Sequence, residues 1–316
     1  MFKIIKLLKY YSGGKCVCTE RLDGKVIVIT GANSGIGKEA GFILSHKGAE
    51  LILACRNIEE GNKVVKEIIK KSGNIYITCE QLDLADFESI VSFTNRIKNK
   101  GAQVYALINN AAIFHHPFQL TKNGFELTFQ TNYLGPCLLT LLLLDSFKKK
   151  FPSRIVNVSS EAHRFPKCLE IQYLHLPKIK FDEFMVYGES KLCLHLFTNK
   201  LAKLVKGEEV TVNCVNPGNS RSNIYRSFPT INNVSLFSFH HFLLWLKFKN
   251  CWSGAQTVVH AVVDPNLKST TGKYFSDCQE STASELANSE ELADILWGCT
   301  LDWLKDYLSK SSFKKI

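Results

Sequence analysis

The sequence predicts an α/β fold in which one parallel sheet is doubly wound, with helices on both faces. Short, nearly continuous apolar runs alternate with longer amphipathic stretches, which is the pattern of consecutive βαβ units. The first apolar run ends in a glycine-rich turn, as where a buried strand leads into a crossover helix. A chain of 316 residues with 45% hydrophobic content suffices for one large domain of this kind.

The predicted strands are the apolar runs that are too short for buried helices. They cover residues 25–29, 51–54, 75–78, 104–108, 154–158 and 210–215. Two stretches between the first three runs have helical periodicity, over residues 37–47 and 57–71. Because strands that alternate with helices pair in parallel through crossovers, we expect a Rossmann-type sheet. No repeat or linker divides the sequence, so residues 21–308 are predicted to form a single domain.

Four short motifs follow one another along the chain. They are TGANSGIG at 30–37, NNAA at 109–112, NVSS at 157–160 and YGESK at 187–191. The first brings main-chain amides and a helix N-terminus to a cofactor pyrophosphate. Its predicted cofactor-binding residues are Gly31, Asn33, Ser34, Gly35, Ile36 and Gly37. A phosphate turn, a serine and a Tyr/Lys pair, in this order, are the parts that a nicotinamide-dependent oxidoreductase needs.

The end of the second predicted strand indicates which nicotinamide cofactor binds. An enzyme for NAD usually places a carboxylate there for the ribose 2′-hydroxyl, whereas the 2′-phosphate of NADP needs a cation. Here the strand ends in LAC and Arg56 follows, with no carboxylate. Because the planar guanidinium suits phosphate, we predict NADP(H), with Arg56 as the main determinant.

The last motif carries the chemistry of proton transfer. Reduction of a carbonyl needs a hydride at carbon and a proton at oxygen, so a positioned acid is required. The pKa of an isolated tyrosine, about 10, is too high for efficient exchange at neutral pH. Lys191 follows Tyr187 by four residues, so on a helix the two share a face and the ammonium stabilises tyrosinate.

Together the four motifs resemble the short-chain dehydrogenase/reductase family. The resemblance implies that Tyr187 is the catalytic acid/base and that Lys191 also binds the ribose hydroxyls of the cofactor. It implies that Ser160 orients the substrate oxygen and that Asn132, in the sequence TNYLG, holds a water of the proton relay. The resemblance also admits a homodimer.

The same resemblance implies further cofactor contacts. They are Asp83, Leu84, Asn109, Pro217, Gly218, Ser220 and Ser222. Asp83 would accept a hydrogen bond from the adenine amino group, and Asn109 begins the motif that shapes the adenine side. The main chain after Pro217 would meet the nicotinamide carboxamide, and the Ser222 hydroxyl a phosphate. Ala112 and Ser220 stand where the family usually has glycine and valine.

A narrower resemblance, over roughly residues 20–305, is to the retinol dehydrogenase 11–14 group. It rests on LACRN at 53–57, NGFE at 123–126, RIVNVSS at 154–160, GAQT at 254–257 and GKYFSDC at 272–278. It implies interconversion of retinal and retinol, or of other apolar aldehydes and alcohols, with NADP(H). Two alternatives stay open: a steroid or xenobiotic carbonyl reductase on the same scaffold, and a non-catalytic NADP(H)-binding interaction protein.

The charge pattern favours a membrane surface over nucleic acid as a partner. The formal net charge is +10, but the lysines are dispersed and no nucleic-acid module is recognisable. Residues 1–20 form a basic amphipathic segment that suits an interfacial anchor, and residues 309–316 form a basic tail. The apolar segment 231–248 is predicted to cover the substrate pocket and touch the membrane. We expect no transmembrane helix, and a location at the endoplasmic reticulum, with the cytoplasm or the mitochondrial membrane as alternatives.

The cysteines and histidines predict no metal site. The eleven cysteines are scattered, as expected of reduced thiols, and the C-x-C of Cys16 and Cys18 lacks the second pair that a zinc site needs. Five histidines lack supporting ligand spacing and are predicted to lie in the pocket or at the surface: His115, His116, His163, His240 and His241.

Overall fold

A computed structural model of the chain describes residues 13–147, 152–174, 181–220, 224 and 249–309. Several sequence-based predictions lie outside the described residues: the basic segment 1–12, Ser222, the apolar segment 231–248 with His240 and His241, and the tail from residue 310.

Within the described residues, eight strands form one sheet with the order β3-β2-β1-β4-β5-β6-β7-β8. They are β1 (Val26–Thr30), β2 (Glu50–Cys55), β3 (Ile77–Gln81), β4 (Val104–Asn109), β5 (Ser153–Val158), β6 (Val210–Asn216), β7 (Tyr274–Ser276) and β8 (Gln279–Ser281). All neighbouring pairs are parallel except β7 and β8. The strand order reverses between β1 and β4, which opens a crevice at the carboxyl ends of the strands. The predicted doubly wound sheet is confirmed.

Helices cover both faces of the sheet. They are α1 (Gly35–His46), α2 (Ile58–Ser72), α3 (Phe87–Asn99), α4 (Leu127–Phe129), α5 (Gly135–Leu143), α6 (Glu183–Leu204), α7 (Cys251–Val263) and α8 (Glu290–Leu308). Side chains of α1, α2 and α7 build one apolar core with Ile27 and Ile29 of β1. Those of α3, α5, α6 and α8 build a second core with Val26 and Val28. Because both faces are covered, β1 is apolar at consecutive positions.

The sheet differs from the prediction at its two edges. The third strand begins at Ile77 and not at residue 75, and the side chains of Ile75 and Tyr76 before it are exposed. Strands β7 and β8 were not predicted. Each is three residues long, too short for an apolar alternation to be visible, and β8 is fully exposed.

One stretch of the chain bears on the expectation that there is no transmembrane helix. Residues Leu127–Ser146 are long and apolar enough, by length and composition alone, to cross a bilayer. However, 83% of the apolar 18-residue segment within this stretch is buried inside the protein, and every residue of α5 is buried. The stretch belongs to the core between α3, α6 and α8, which accounts for its hydropathy without a membrane.

Side-chain caps fix where the site-bearing helices start. Asp182 accepts hydrogen bonds from the amides of Phe184 and Met185, at 2.9 and 3.0 Å, and so begins α6. Tyr187 therefore lies in the second turn of α6. At the other end of the crevice, Asn57 caps α2 by accepting from the Glu60 amide at 3.0 Å.

Candidate active site

A cavity of about 420 Å³ opens at the carboxyl ends of the strands, where the strand order reverses. All four sequence motifs contribute to its lining, although they are up to 160 residues apart. The predicted residues that line it are Gly31, Asn33, Ser34, Gly35, Ile36, Arg56, Asp83, Leu84, Ser160, Tyr187, Lys191, Pro217, Gly218 and Ser220. The fold therefore brings most of the predicted site together at the place where doubly wound sheets bind ligands.

The glycine-rich turn and the NNAA motif are packed against each other. Gly31 has a φ of 65°, and a Cβ there would lie 2.9 Å from the Cα of Ala111. A Cβ on Gly37 would lie 2.5 Å from Nδ2 of Asn110. Asn110 donates from Nδ2 to the Thr30 carbonyl at 2.9 Å. The turn thus needs glycine because a second strand end presses on it.

The start of α1 faces the cavity with its amides. Ser34 is the N-cap residue and is extended, and its hydroxyl does not cap the described amides of the first turn. Ser34, Gly35 and Ile36 all line the cavity. Free amides at a helix N-terminus form an anion site, so this end suits a pyrophosphate.

The far end of the cavity contains Arg56, the residue that the sequence predicts to select the cofactor. Arg56 is exposed, lines the cavity and forms no ion pair with any residue that the structure describes. Glu60 also lines this end, and its carboxylate is paired with Lys63 at 2.7 Å. Asp83 accepts from the Ala85 amide at 2.9 Å, so its carboxylate shapes the turn after β3 as well as facing the cavity.

Asn109 lies behind the cavity and not on its wall. Its side chain is buried and donates from Nδ2 to Thr140 at 2.9 Å and to Asn157 at 2.8 Å. It joins the ends of β4 and β5 beneath the site. The next residue, Asn110, contacts the glycine turn, and the sequence-based reasoning missed it although it stands in the same motif.

Tyr187 and Lys191 lie side by side on α6. The Lys191 ammonium is 5.6 Å from the centre of the Tyr187 ring and donates to the Val158 carbonyl at 2.9 Å. Burial lowers the pKa of Lys191 to about 8. No carboxylate offsets this effect among the interactions described for Lys191. The lysine is therefore a buried cation directed at the phenol and at the end of β5.

Ser160 follows β5, and its main chain is hydrogen-bonded to the buried His163. Ser160 caps a short 3₁₀ turn, accepting from the Ala162 amide at 3.2 Å. His163 bonds the Ser160 carbonyl through Nδ1 at 2.7 Å and accepts from the Ser284 amide at Nε2. The prediction of a pocket or surface position for His163 was wrong: its side chain is buried and stacks on His195 with ring centres 4.3 Å apart.

Asn132 lies in a π turn (Gln130–Leu134) between α4 and α5. Its side chain accepts from the Ile113 amide at 2.8 Å and donates to the Ile113 carbonyl at 2.9 Å. It also donates to the Ser190 hydroxyl at 3.1 Å, and Ser190 donates to the Tyr187 carbonyl at 2.7 Å. The Asn132 amide thus couples the loop after β4 to α6, and the widened turn is of the kind found at functional sites.

Aromatic rings surround the Tyr187 end of the cavity. Phe114 lines the cavity and packs edge-on against Tyr187, with ring centres 4.8 Å apart. Phe184 packs edge-on against Phe114 at 5.2 Å and is 40% exposed. This wall came from no predicted motif, because its members belong to a loop and a helix start with no periodic signal.

The loop after β6 closes the remaining side. Gly218 has a φ of 72°, and its amide donates to the Asn216 side chain at 2.9 Å. The two chain ends that flank residues 221–248 lie together, since the Lys249 amide donates to the Asn219 carbonyl at 2.8 Å. Lys249 is also ion-paired with Asp277.

Known proteins are similar to this chain in sequence and in fold. The family model for short chain dehydrogenases matches residues 25–174. Retinol dehydrogenase 11 of Homo sapiens is 38% identical over 306 residues, 95% of this chain and 92% of that protein. The chain belongs to the short-chain dehydrogenase/reductase family. It is therefore an oxidoreductase of this family, and it resembles the retinol dehydrogenases within it.

Further relatives and two solved structures are also similar to this chain. Retinol dehydrogenase 13 of Mus musculus is 37% identical, over 93% of this chain and 87% of that protein. A chloroplastic short-chain dehydrogenase of Brassica napus, TIC 32 B, is 37% identical over 88% of this chain and 89% of its own length. A solved structure from Mycobacterium paratuberculosis has a TM-score of 0.75 at 24% identity, covering 96% of this chain and 100% of that one. A structure of Pseudomonas aeruginosa RhlG with NADP has a TM-score of 0.64 at 20% identity, covering 81% and 95%.

Proposed function

We propose that this short-chain dehydrogenase/reductase interconverts an apolar aldehyde and its alcohol with NADP(H), and that retinal-like and lipid aldehydes are its substrates. The observation that carries the proposal is the aromatic wall beside Tyr187, formed by Phe114 and Phe184. Two relatives that align with 95% and 93% of this chain are named retinol dehydrogenases, which supports the same substrate class.

The proposed mechanism assigns one task to each catalytic group. When bound, NADPH supplies the hydride that reduces the carbonyl carbon. The Tyr187 hydroxyl gives its proton to the carbonyl oxygen, and the Lys191 ammonium stabilises the tyrosinate that forms. Ser160 donates to the same oxygen and holds it in place. Asn132 acts as a positioning residue, through Ser190 and the Tyr187 main chain.

The fit of the cavity to NADPH rests on three features of this chain. Gly31 and Gly37 let the turn pack tightly against Ala111 and Asn110, and the main chain of this turn lines the cavity. The start of α1 presents amides to a pyrophosphate. The Arg56 guanidinium forms no described ion pair and lines the cavity, which supports a role in binding a 2′-phosphate.

Arg56→Ala is expected to raise the KM for NADPH by about 10-fold to 100-fold and to leave the KM for NADH within about twofold. The reason is that a charge-assisted hydrogen bond to phosphate is lost, while NADH has no 2′-phosphate. Initial rates with both cofactors at saturating aldehyde measure the effect. Arg21→Ala is the matched control, because that exposed arginine pairs with Asp23 away from the cavity. An equal loss with both cofactors would refute the assignment of Arg56.

The substrate class is tested with NADPH consumption in detergent micelles. All-trans-retinal is compared with straight-chain aldehydes of increasing length, and we expect kcat/KM to rise about threefold per methylene up to the length of the pocket. Phe184→Ala should flatten this dependence, whereas Ile75→Ala, an exposed change at the sheet edge, should not. A preference for short polar aldehydes would overturn the apolar substrate. Turnover of steroid ketones alone would favour the alternative reductase.

We also propose that the enzyme works at a membrane surface, with the endoplasmic reticulum as the location that the retinol dehydrogenase resemblance suggests. Exposed aromatic side chains beside the catalytic helix support the proposal: Phe184 begins α6, and Phe165 lies against Gly188. The formal net charge of +10 favours anionic lipid. Sedimentation of the protein with anionic but not with zwitterionic vesicles would support this surface role.

A further inference from the structure

A second cluster of reactive side chains lies where the segment before β1 meets α7. The thiols of Cys16 and Cys18 and the imidazole of His260 place one sulfur or nitrogen atom each within 4.8 Å of one another. The first two precede β1, and His260 lies in the last turn of α7. The cluster is half-buried and is separate from the residues that line the active-site cavity.

The main chain around the two cysteines is fixed in place. The Cys16 amide donates to the Gln256 side chain of α7 at 3.1 Å, and Lys47 donates to the Cys18 carbonyl at 2.6 Å. A Cβ on Gly14 would lie 1.9 Å from the Asp277 carbonyl oxygen, so the chain enters along the turn between β7 and β8 with no space for a side chain. The thiols are thus held toward His260 by contacts that need no metal.

The histidine has the partner that metal-bound histidines usually have. Nδ1 of His260 is 3.3 Å from Oδ2 of Asp264, which leaves Nε2 for a ligand. Asp264 is itself fixed, since its Oδ1 accepts from the Asn266 amide at 2.9 Å and its carbonyl accepts from Arg154 at 2.7 Å. An imidazole that is oriented by a carboxylate and lies beside two thiols is an arrangement that zinc sites use.

We propose that Cys16, Cys18 and His260 bind one zinc ion, with the fourth position open to water and Asp264 as the positioning residue for His260. Two thiolates and one imidazole are ligands that select Zn²⁺. The ion clamps the segment that follows residues 1–12 onto α7, the helix that packs against α1, β5 and β6. Sequence spacing predicted no metal site because His260 lies more than 240 residues after the two cysteines.

The test uses the full chain without an affinity tag, reduced and freed of metal, in equilibrium dialysis against zinc. We expect one bound zinc per chain and, at a hundredfold excess over Kd, a rise in Tm of about 4 °C. With Co²⁺ as the probe, we expect tetrahedral d–d bands together with a thiolate charge-transfer band. Cys18→Ser and His260→Gln should each weaken metal binding at least about 10-fold and remove the rise in Tm.

Control variants make the test specific. Cys168→Ser and His46→Gln change an exposed thiol and an exposed imidazole away from the cluster, and should leave zinc stoichiometry unchanged. Asp264→Asn should weaken zinc binding but keep the cobalt spectrum, because the ligand atoms remain. Zinc that fails to bind the reduced protein would overturn the proposal. So would zinc that binds the Cys18→Ser and His260→Gln variants as it binds the wild type.

Discussion

Tyr187→Phe is expected to lower kcat for aldehyde reduction about 10³-fold while NADPH still binds. The change removes only the phenolic oxygen, so the edge-on packing against Phe114 is retained. Without the hydroxyl, no described side chain at this position can give a proton to the carbonyl oxygen, and general acid catalysis of this kind is worth roughly 10²–10⁴-fold. Steady-state rates with retinal measure the loss, and quenching of protein fluorescence by NADPH measures the binding.

Tyr76→Phe is the matched control for this change. Tyr76 is exposed just before β3, on the far edge of the sheet from Tyr187, so its hydroxyl should be dispensable. A Tyr187→Phe variant that keeps more than about a tenth of wild-type kcat would contradict the proposed acid/base role. Loss of NADPH binding together with turnover would instead make Tyr187 a cofactor-binding residue.

Lys191→Met is expected to have opposite effects on activity and on stability. Turnover should fall about 10²-fold or more, because the cation that stabilises tyrosinate is gone. The free energy of unfolding at pH 7 should rise by about 2 kcal/mol, because a wholly buried ammonium is replaced by an apolar side chain of similar length. The lost hydrogen bond to the Val158 carbonyl is already subtracted from this figure.

The stability difference between Lys191→Met and the wild type should depend on pH. Unfolded Lys191 keeps its proton up to its ordinary pKa of 10.5, whereas in the folded protein burial lowers the pKa to about 8. Between these two pH values the unfolded state binds more protons than the folded state. The free energy of unfolding of the wild type therefore rises with pH in this range. The free energy of unfolding of Lys191→Met should therefore exceed that of the wild type by the whole predicted amount at pH 7 and by less at pH 9.5.

Urea unfolding of the cofactor-free proteins at both pH values measures the difference, and other titrating groups cancel between the two proteins. Lys203→Met is the control, since that lysine is on the same helix but exposed and paired with Glu290. A stability difference that does not change between pH 7 and 9.5 would show that Lys191 is not the buried cation described above.

Local sequence predicted much of the candidate active site because three of the four motifs lie where a strand ends and the fourth lies on one helix face. Parallel strands that are wound in register place their carboxyl ends at one edge, so Gly31, Ser160 and Gly218 meet without any contact being visible in the sequence. Tyr187 and Lys191 are related by one helical turn, which sequence spacing alone describes.

Other features have no local signal. The burial of His163 depends on Ser284 and His195, which come from distant parts of the chain. The stretch that forms α5 is as apolar as a membrane segment, and only its packing between neighbouring helices shows it to be a core helix. Sequence patterns report which residue types lie nearby along the chain, and these features depend on residues more than 30 positions away.

The sequence by itself determined the fold class, the glycine-rich turn after β1 and the Tyr187/Lys191 pair, because these follow from local periodicity and from short spacings on one strand end or one helix face. Only the tertiary structure decided that Asn110, and not Asn109, contacts the glycine turn, that aromatic rings flank Tyr187, and that His260 approaches Cys16 and Cys18. Such contacts arise from the crossing of distant elements, and crossing geometry is set by the packing of the whole core.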